Sequence, residues 1–279
     1  MTLNKVDFDF VRALVHKRAA IVLEEEKDYL VESRLSSLAR REGFASVADL
    51  LVQLRANRGQ YLSQKVVQAM TTNETSFFRD LHPFEALRKQ ILPELIGRRS
   101  AMRRLHIWCG AASTGQEPYS IAMLLREYFA ELSSWELRII ATDLSPDVLA
   151  QAQEGRYSQL EINRGLPASF LIKYFTRQGT QWRLKDEILR MVELRQLNLI
   201  ESWPALPMMD LVLMRNVLIY FDLDTKKMIL SRVRKLLQPD GYLFLGAAET
   251  TLNIDDHFER AELERSGCYR LRAHEAAKF

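Results

Sequence analysis

The sequence predicts an α/β protein built on one mostly parallel sheet with helices on both faces, preceded by a small all-helical domain. Three observations predict this. Residues 1 to 70 carry only helical periodicity; from 105 to about 273 apolar runs alternate with helical stretches; and the first such run, LHIWC, stops at a small-residue loop, GAASTG, before a helix begins.

In the helical region Phe8, Val11, Leu14 and Val15 share one face and Tyr29, Leu30, Leu35 and Leu38 another, with Leu50, Leu51 and Leu54 following a turn at Gly43. Residues 71–104 read as a linker, opening with TTNETSFFRDLHPF and containing a helix near 84–97. Strands are expected at 105–109, 137–142, 191–196, 210–214, 242–246 and 268–272, with a Pro-Asp-Gly turn in LLQPDGYLFLG ahead of the fifth. One interval, about 155–190, breaks the alternation. There KYFTRQ and QWRLKDEI flank Gly179, Thr180 and Gln181, the pattern of a short antiparallel hairpin inserted into the sheet domain at 105–279. Such an insertion is either a recognition element or decoration.

Composition sets outer limits. At 279 residues and 47% hydrophobic, the chain can bury one large core and a small accessory domain. No apolar stretch approaches the roughly 20 residues that span a bilayer, and MTLNKVDFDF carries acids where a signal peptide carries lysines, so a cytoplasmic protein is expected. Cys109 and Cys268 lie inside apolar runs as buried thiols, and five scattered histidines have no ligand spacing, so no metal is expected. A net charge of +3 gives no argument for nucleic acid.

The chemistry concentrates at strand ends. A ligand belongs over residues 110–115, where small side chains let backbone approach it, although a glycine pair after a strand can also merely close a turn. Asp143 follows LRIIAT directly, and a carboxylate at the tip of a second strand can accept from both ribose hydroxyls of a nucleoside. Ser145, ahead of Pro146 and Asp147, suits the helix N-cap better, which leaves Asp143 to face the site. The chain has no GxGxxG and no P-loop lysine. A nucleoside without a pyrophosphate fits, and S-adenosylmethionine is the commonest such cofactor. Beyond the fourth strand, RNVLIYFD replaces the Asn-Pro-Pro-aromatic stretch of many nucleobase methyltransferases.

These residues add up to a family likeness. Through TTNETSFFRD at 71–80, GAASTGQEPYSIA at 110–122, ATDLSPDVL at 141–149, NL at 198–199, RNVLIYFD at 215–222 and QPDGYLFLG at 238–246, the chain resembles the CheR family of chemotaxis receptor methyltransferases over nearly its whole length. The resemblance implies a helical N-terminal domain, a class I, Rossmann-like methyltransferase domain and an inserted β-subdomain. It also implies methyl transfer from S-adenosylmethionine to chemoreceptor glutamates, giving glutamate methyl esters and S-adenosylhomocysteine. Carried over by position, the family's cofactor contacts fall on Asn73, Thr75, Arg79, Glu117, Asp143, Asn198, Leu199, Arg215 and Asn216. From the residues alone, Asn73 also suits an N-cap for the following residues, and Glu117 suits the dipole of its helix.

A glutamate is ionised near neutral pH and needs no general base, so catalysis is expected from alignment and partial removal of water. Arg79 and Tyr220 are the candidates for orienting the substrate carboxylate; Tyr220, inside VLIYF, also suits a core aromatic. Lys27, Arg34 and Arg41 recur every seven residues and stay within about 40° of one helix stripe, with Arg40 beside it. They form a candidate basic face for glutamate-rich receptor helices, or a solvated face diluted by Glu32 and Glu42. In the family it resembles, members tethered to a receptor's C-terminal pentapeptide have a longer connection in this hairpin, so the resemblance implies no such tether here, and a monomer is expected. A small-molecule or RNA methyltransferase and a non-catalytic cofactor sensor are the other classes considered.

Overall fold

The computed structural model describes residues 3–56, 60–263 and 266–272. The chain divides into two compact units, one built on residues up to 72 together with 220–225, the other on 73–219 and 226 onward. Residues 73–104, read from sequence as a linker, thus cluster with the sheet unit.

In the helical unit, α1 (Lys5–Ala19), α2 (Asp28–Arg41), α3 (Val47–Arg55) and α4 (Gln60–Met70) each turn an apolar stripe inward. Asn4 and Ser46 cap α1 and α3, their side-chain oxygens accepting from the Asp7 and Asp49 amides at 2.9 and 3.1 Å. On α2 the buried residues are Val31, Leu35, Leu38 and Ala39, whereas Tyr29 is 68% exposed, a correction to the expected face. α2 begins only at Asp28, so Tyr29 lies in its first turn, and Val31, not Tyr29, starts the i, i+4, i+7 series that faces the core. After Ala20 ends α1 in a left-handed conformation, Ile21 pairs antiparallel with Phe221, the Val22 amide donates to the Tyr220 carbonyl at 2.9 Å, and His16 Nε2 lies 3.0 Å from Asp222 Oδ2.

The sheet unit opens with α5 (His82–Ala86) and α6 (Leu92–Arg99), joined by a π-helical turn at Leu87–Ile91. Then follow β1 (Arg104–Gly110), α7 (Gln116–Tyr128), β2 (Glu136–Asp143) and α8 (Pro146–Glu154). The insertion carries β3 (Arg156–Ser158), α9 (Gln159–Asn163), α10 (Ala168–Tyr174), β4 (Phe175–Gln178), β5 (Gln181–Leu184) and α11 (Asp186–Leu189). The chain resumes with β6 (Val192–Gln196), β7 (Met209–Met214), α12 (Leu223–Leu236), β8 (Leu237–Leu245), β9 (Phe258–Arg260) and β10 (Cys268–Leu271).

Among the described residues the main sheet runs β6-β2-β1-β7-β8-β10-β9, parallel from β6 to β8, with β10 antiparallel to both β8 and β9. Strands added to either side of β1 put the topological switch between β1 and β7, so the ligand crevice lies over their carboxyl ends. Ile107, Trp108, Ile139, Ile140, Leu211, Val212, Leu243 and Phe244 are fully buried, as strands covered on both faces must be.

Three expectations are revised. The hairpin loop is two residues long, Gly179 and Thr180, because Gln178 pairs with Gln181. A third strand, β3, completes the small sheet in the order β3-β5-β4. Pro239-Asp240-Gly241 is no separate turn: β8 starts at Leu237 directly after α12, and the register jumps from Met209↔Leu237 to Leu211↔Tyr242, a wide bulge holding these residues inside the strand.

Candidate active site

The loop after β1 is set by backbone shape. Ala111 and Ser113 take left-handed φ of 57° and 51°, and Gly115 takes 92°, where a Cβ would sit 2.6 Å from the Tyr119 ring. The Ala112 amide donates to the Thr142 carbonyl at 2.9 Å, tying the loop to β2. Beside it, Asp143 is 7% exposed. Its Oδ2 accepts from the Ser113 amide at 2.8 Å and its Oδ1 from the Ser145 amide at 2.9 Å. Ser145 does occupy the N-cap position of α8 but caps with no side-chain hydrogen bond. Asp143 is therefore both the acid at the strand tip and the brace of the loop. Burial pushes its carboxyl above the usual aspartate range, and the amides of Ser145, Ser113 and Leu144 pull it back.

A strap of irregular backbone, residues 73–80, borders this loop. No helix follows Asn73, so it is not an N-cap; its carbonyl accepts from Ser113 Oγ at 2.8 Å and its side chain is exposed. Thr75 and Arg79 are half-buried, and Arg79 Nη1 donates to the Glu74 carbonyl at 3.1 Å. Ser120 Oγ, on α7, accepts from the Phe78 amide at 3.0 Å. Phe77 packs edge-on against Tyr157 and Phe175, and Phe78 stacks on Phe170.

Arg215, just past β7, has a side chain only 1% exposed. Its guanidinium donates to Glu117 Oε2 and Asp80 Oδ2, both at 2.8 Å, and to the Arg79 carbonyl at 3.0 Å, while Nε is buried with no partner. It is an internal clamp joining β7, α7 and the strap. Glu117 is pushed above the usual glutamate range by burial, against the opposing pull of Arg215. Asn216 is left-handed at φ 57°. Its amide and that of Gly246 donate to Glu249 Oε2 at 2.7 and 2.6 Å, and the Val217 amide donates to Oε1 at 2.9 Å. Asn198 and Leu199 follow β6 in a loop joined to the site by the Leu197 amide, which donates to the Asp143 carbonyl at 2.9 Å; the Leu199 carbonyl accepts from Trp203 Nε1.

The structure thus brings Asn73, Thr75, Arg79, Glu117, Asp143, Arg215 and Asn216 to elements tied to one another at the carboxyl edge of the sheet, with Asn198 and Leu199 one strand further out. Tyr220 falls in the helical unit, half-buried, its carbonyl held by Val22. Sequence reading missed Glu249, Asp80, Ser113 and Ser120. Ser113 was visible as a member of the loop; the others act through partners distant in sequence. Among the described residues no group of three or more His, Cys, Asp or Glu could hold a metal ion, and no helix is long and apolar enough to cross a membrane.

On the basic face, Arg34 is half-buried and donates to the Met70 carbonyl at 2.6 Å and Thr72 Oγ1 at 2.9 Å, fastening α2 to the end of α4. Lys27 precedes α2 and pairs with Glu24 at 2.7 Å. Arg40 and Arg41, in the last turn of α2, are exposed.

Comparison with known proteins matches residues 6–71 to the model described as CheR methyltransferase, all-alpha domain, and residues 73–266 to CheR methyltransferase, SAM binding domain. The chain is 42% identical over 277 residues to chemotaxis protein methyltransferase 1 of Pseudomonas aeruginosa, covering 98% of this chain and all of that protein. It is 41% identical to chemotaxis protein methyltransferase Cher2 of Pseudomonas putida, covering 94% and 96% of the two chains, and 38% identical to the chemotaxis protein methyltransferase of Vibrio parahaemolyticus, covering 95% and 96%.

Proposed function

We propose that this chain, which belongs to the CheR methyltransferase family, transfers a methyl group from S-adenosylmethionine to glutamate carboxylates of bacterial chemoreceptors, forming methyl esters. The similarity to chemotaxis protein methyltransferases over the full length of both chains carries this reading. The donor set fits the cofactor. A buried acid at the tip of β2 retains lone pairs for ribose hydroxyls, and the loop beside it presents backbone without bulky side chains, as a nucleoside lacking pyrophosphate requires.

When bound, S-adenosylmethionine supplies a methyl group activated by its sulfonium. Asp143 would hold the ribose, with Asn73, Thr75, Asn198, Leu199 and Asn216 as the surrounding wall. Arg79 would orient the glutamate through one hydrogen bond, since a bidentate grip would draw electron density from the attacking oxygen. No residue has to move a proton, because the carboxylate is already ionised at neutral pH. Arg215, bonded to Glu117, also holds Arg79 and Asp80 in place from behind, and both residues stay in the set of cofactor contacts carried over from the family. The receptor would meet the helical unit through Arg40 and Arg41, with Lys27 at the margin; Arg34 leaves that set because its guanidinium is committed to α4. The two-residue hairpin loop supports recognition without a pentapeptide tether. The enzyme would act as a monomer in the cytoplasm.

The test incubates the protein with methyl-labelled cofactor and membranes bearing full-length or tail-deleted receptors. Base-labile label on both receptors to similar extent is expected, and Arg41→Glu should raise the KM for receptor at low salt. Base-stable label, label on RNA or small molecules, or cofactor binding with no transfer would overturn the reading.

A further inference from the structure

The inserted segment between α8 and β6 is built into the strap as much as into its own small sheet. Phe77, fully buried, meets the Tyr157 ring edge-on at 4.9 Å and the Phe175 ring at 5.6 Å; Phe78 stacks on Phe170 at 5.2 Å with rings 7° from parallel. Gly165 lies so close to the Phe77 carbonyl that a Cβ there would sit 2.1 Å from its oxygen. Tyr157 donates its hydroxyl to the Thr114 carbonyl at 2.8 Å, so the insertion also grips the loop after β1. The strap itself holds left-handed Phe78 and Asp80, at φ 48° and 64°, conformations that persist only where surroundings over-determine them.

One polar chain runs through this contact. Arg164 Nη2 donates to Glu74 Oε1 at 2.6 Å, and the Glu74 carbonyl accepts from Arg79 Nη1 at 3.1 Å. The hydrogen bond from Arg164 is the foremost influence holding the Glu74 carboxyl below its ordinary range. We propose that the inserted subdomain is a working part of the methyl-transfer site, and that Arg164 is a positioning residue which, through Glu74, fixes the guanidinium of Arg79. The aromatic wall of Tyr157, Phe170 and Phe175 fixes the backbone of the strap; Arg164 fixes its polar rim. This rests on the reading of Arg79 as the residue that orients the substrate glutamate.

The test compares Arg164→Ala, Arg164→Lys and Phe170→Leu with the parent protein. Arg164 and Glu74 are half-exposed, so Arg164→Ala should fold with an unchanged Tm and lose about two- to fivefold in kcat, with KM for receptor little altered, and Arg164→Lys should recover part of the loss. In a Glu74→Ala background the same substitution should have no additional effect. Hydrogen exchange supplies a readout independent of turnover: the Phe78 amide, bonded to Ser120, should exchange several-fold faster in Phe170→Leu than in the parent. Unchanged kcat in Arg164→Ala, or an additive loss in the double variant, would overturn the role of Arg164. Unchanged Phe78 protection would overturn that of the aromatic wall. If the parent protein transfers no methyl to receptors at all, the functional reading fails, while the exchange measurement still reports on the brace.

Discussion

Two buried arginines sit at opposite edges of the same sheet and do different work. At the amino edge, Arg99 ends α6 and satisfies all three of its nitrogens with carboxylates: Nε reaches Asp210 at 2.6 Å and the two terminal nitrogens take Asp240 bidentately. Asp210 accepts in addition from the His106 amide at 2.8 Å. The groups joined are a helix end, a strand and a strand bulge. At the carboxyl edge, Arg215 also meets two carboxylates, yet its Nε has no partner, and it secures the irregular backbone around Arg79 and Asp80, where Phe78, Asp80 and Leu81 all have positive φ. Each such residue costs of order 1 kcal/mol or more. The first arginine completes a stable frame; the second holds strained backbone at the edge where the cofactor is proposed to bind.

The contrast is open to measurement. Arg99→Ala leaves Asp210 buried without its cation and should cost about 3 kcal/mol in chemical unfolding, while the affinity of the folded fraction for S-adenosylhomocysteine stays as in the parent. Arg215→Ala should show the reverse emphasis: turnover falls by about 100-fold as Arg79 loses its anchor, with a smaller stability loss because strained backbone relaxes. Equal proportions of stability and activity lost in the two variants would erase the distinction. Next in size, Asp143→Ala should weaken cofactor binding by about 1.5 to 3 kcal/mol in calorimetry, through loss of a ribose contact and of the acceptor for the Ser113 amide. The smallest effect lies in pH dependence. Arg99 holds Asp240 below the usual aspartate range, so its contribution is present above about pH 3.8 and lost as pH falls below that value. Glu117 is raised by burial, so the folded state binds the extra proton and this group's contribution grows as pH falls toward its ordinary 4.5. Stability titrations should therefore show the gap between parent and Asp240→Asn, below about 1 kcal/mol because the carboxylate is more than a third exposed, closing in acid, and the parent gaining on Glu117→Gln.

What could be read ahead of the structure follows the range of the forces involved. The parallel strands, the helical unit and the hairpin rest on local periodicity, and all are present. β3 and β9 are three residues each, too short for alternation to register. Pro239, Asp240 and Gly241 have every local sign of a turn, and a guanidinium 141 residues away in the chain holds them in a bulge instead. The same holds at the site. Asp143 and the loop at 110–115 are legible because strand ends locate them, whereas Glu249, gathering the amides of Asn216, Val217 and Gly246, has no local signature. Arg34 and Arg41 share a heptad spacing, and only the partners at Met70 and Thr72 separate a clamp from a surface charge.

The helical unit is not one uninterrupted run of chain. It takes in residues 220–225, where Phe221 pairs with Ile21, Tyr220 with Val22 and Asp222 with His16. Two relatives therefore cannot exchange this module by a single cut near residue 72. A graft that carries α1 to α4 without the six-residue return segment would force foreign partners on Ile21, Val22 and His16. The substitutions accepted at those positions should accordingly track those at 220–222, so that family members diverge here as matched sets and a chimaera keeps its helical unit intact only when both pieces come from the same parent.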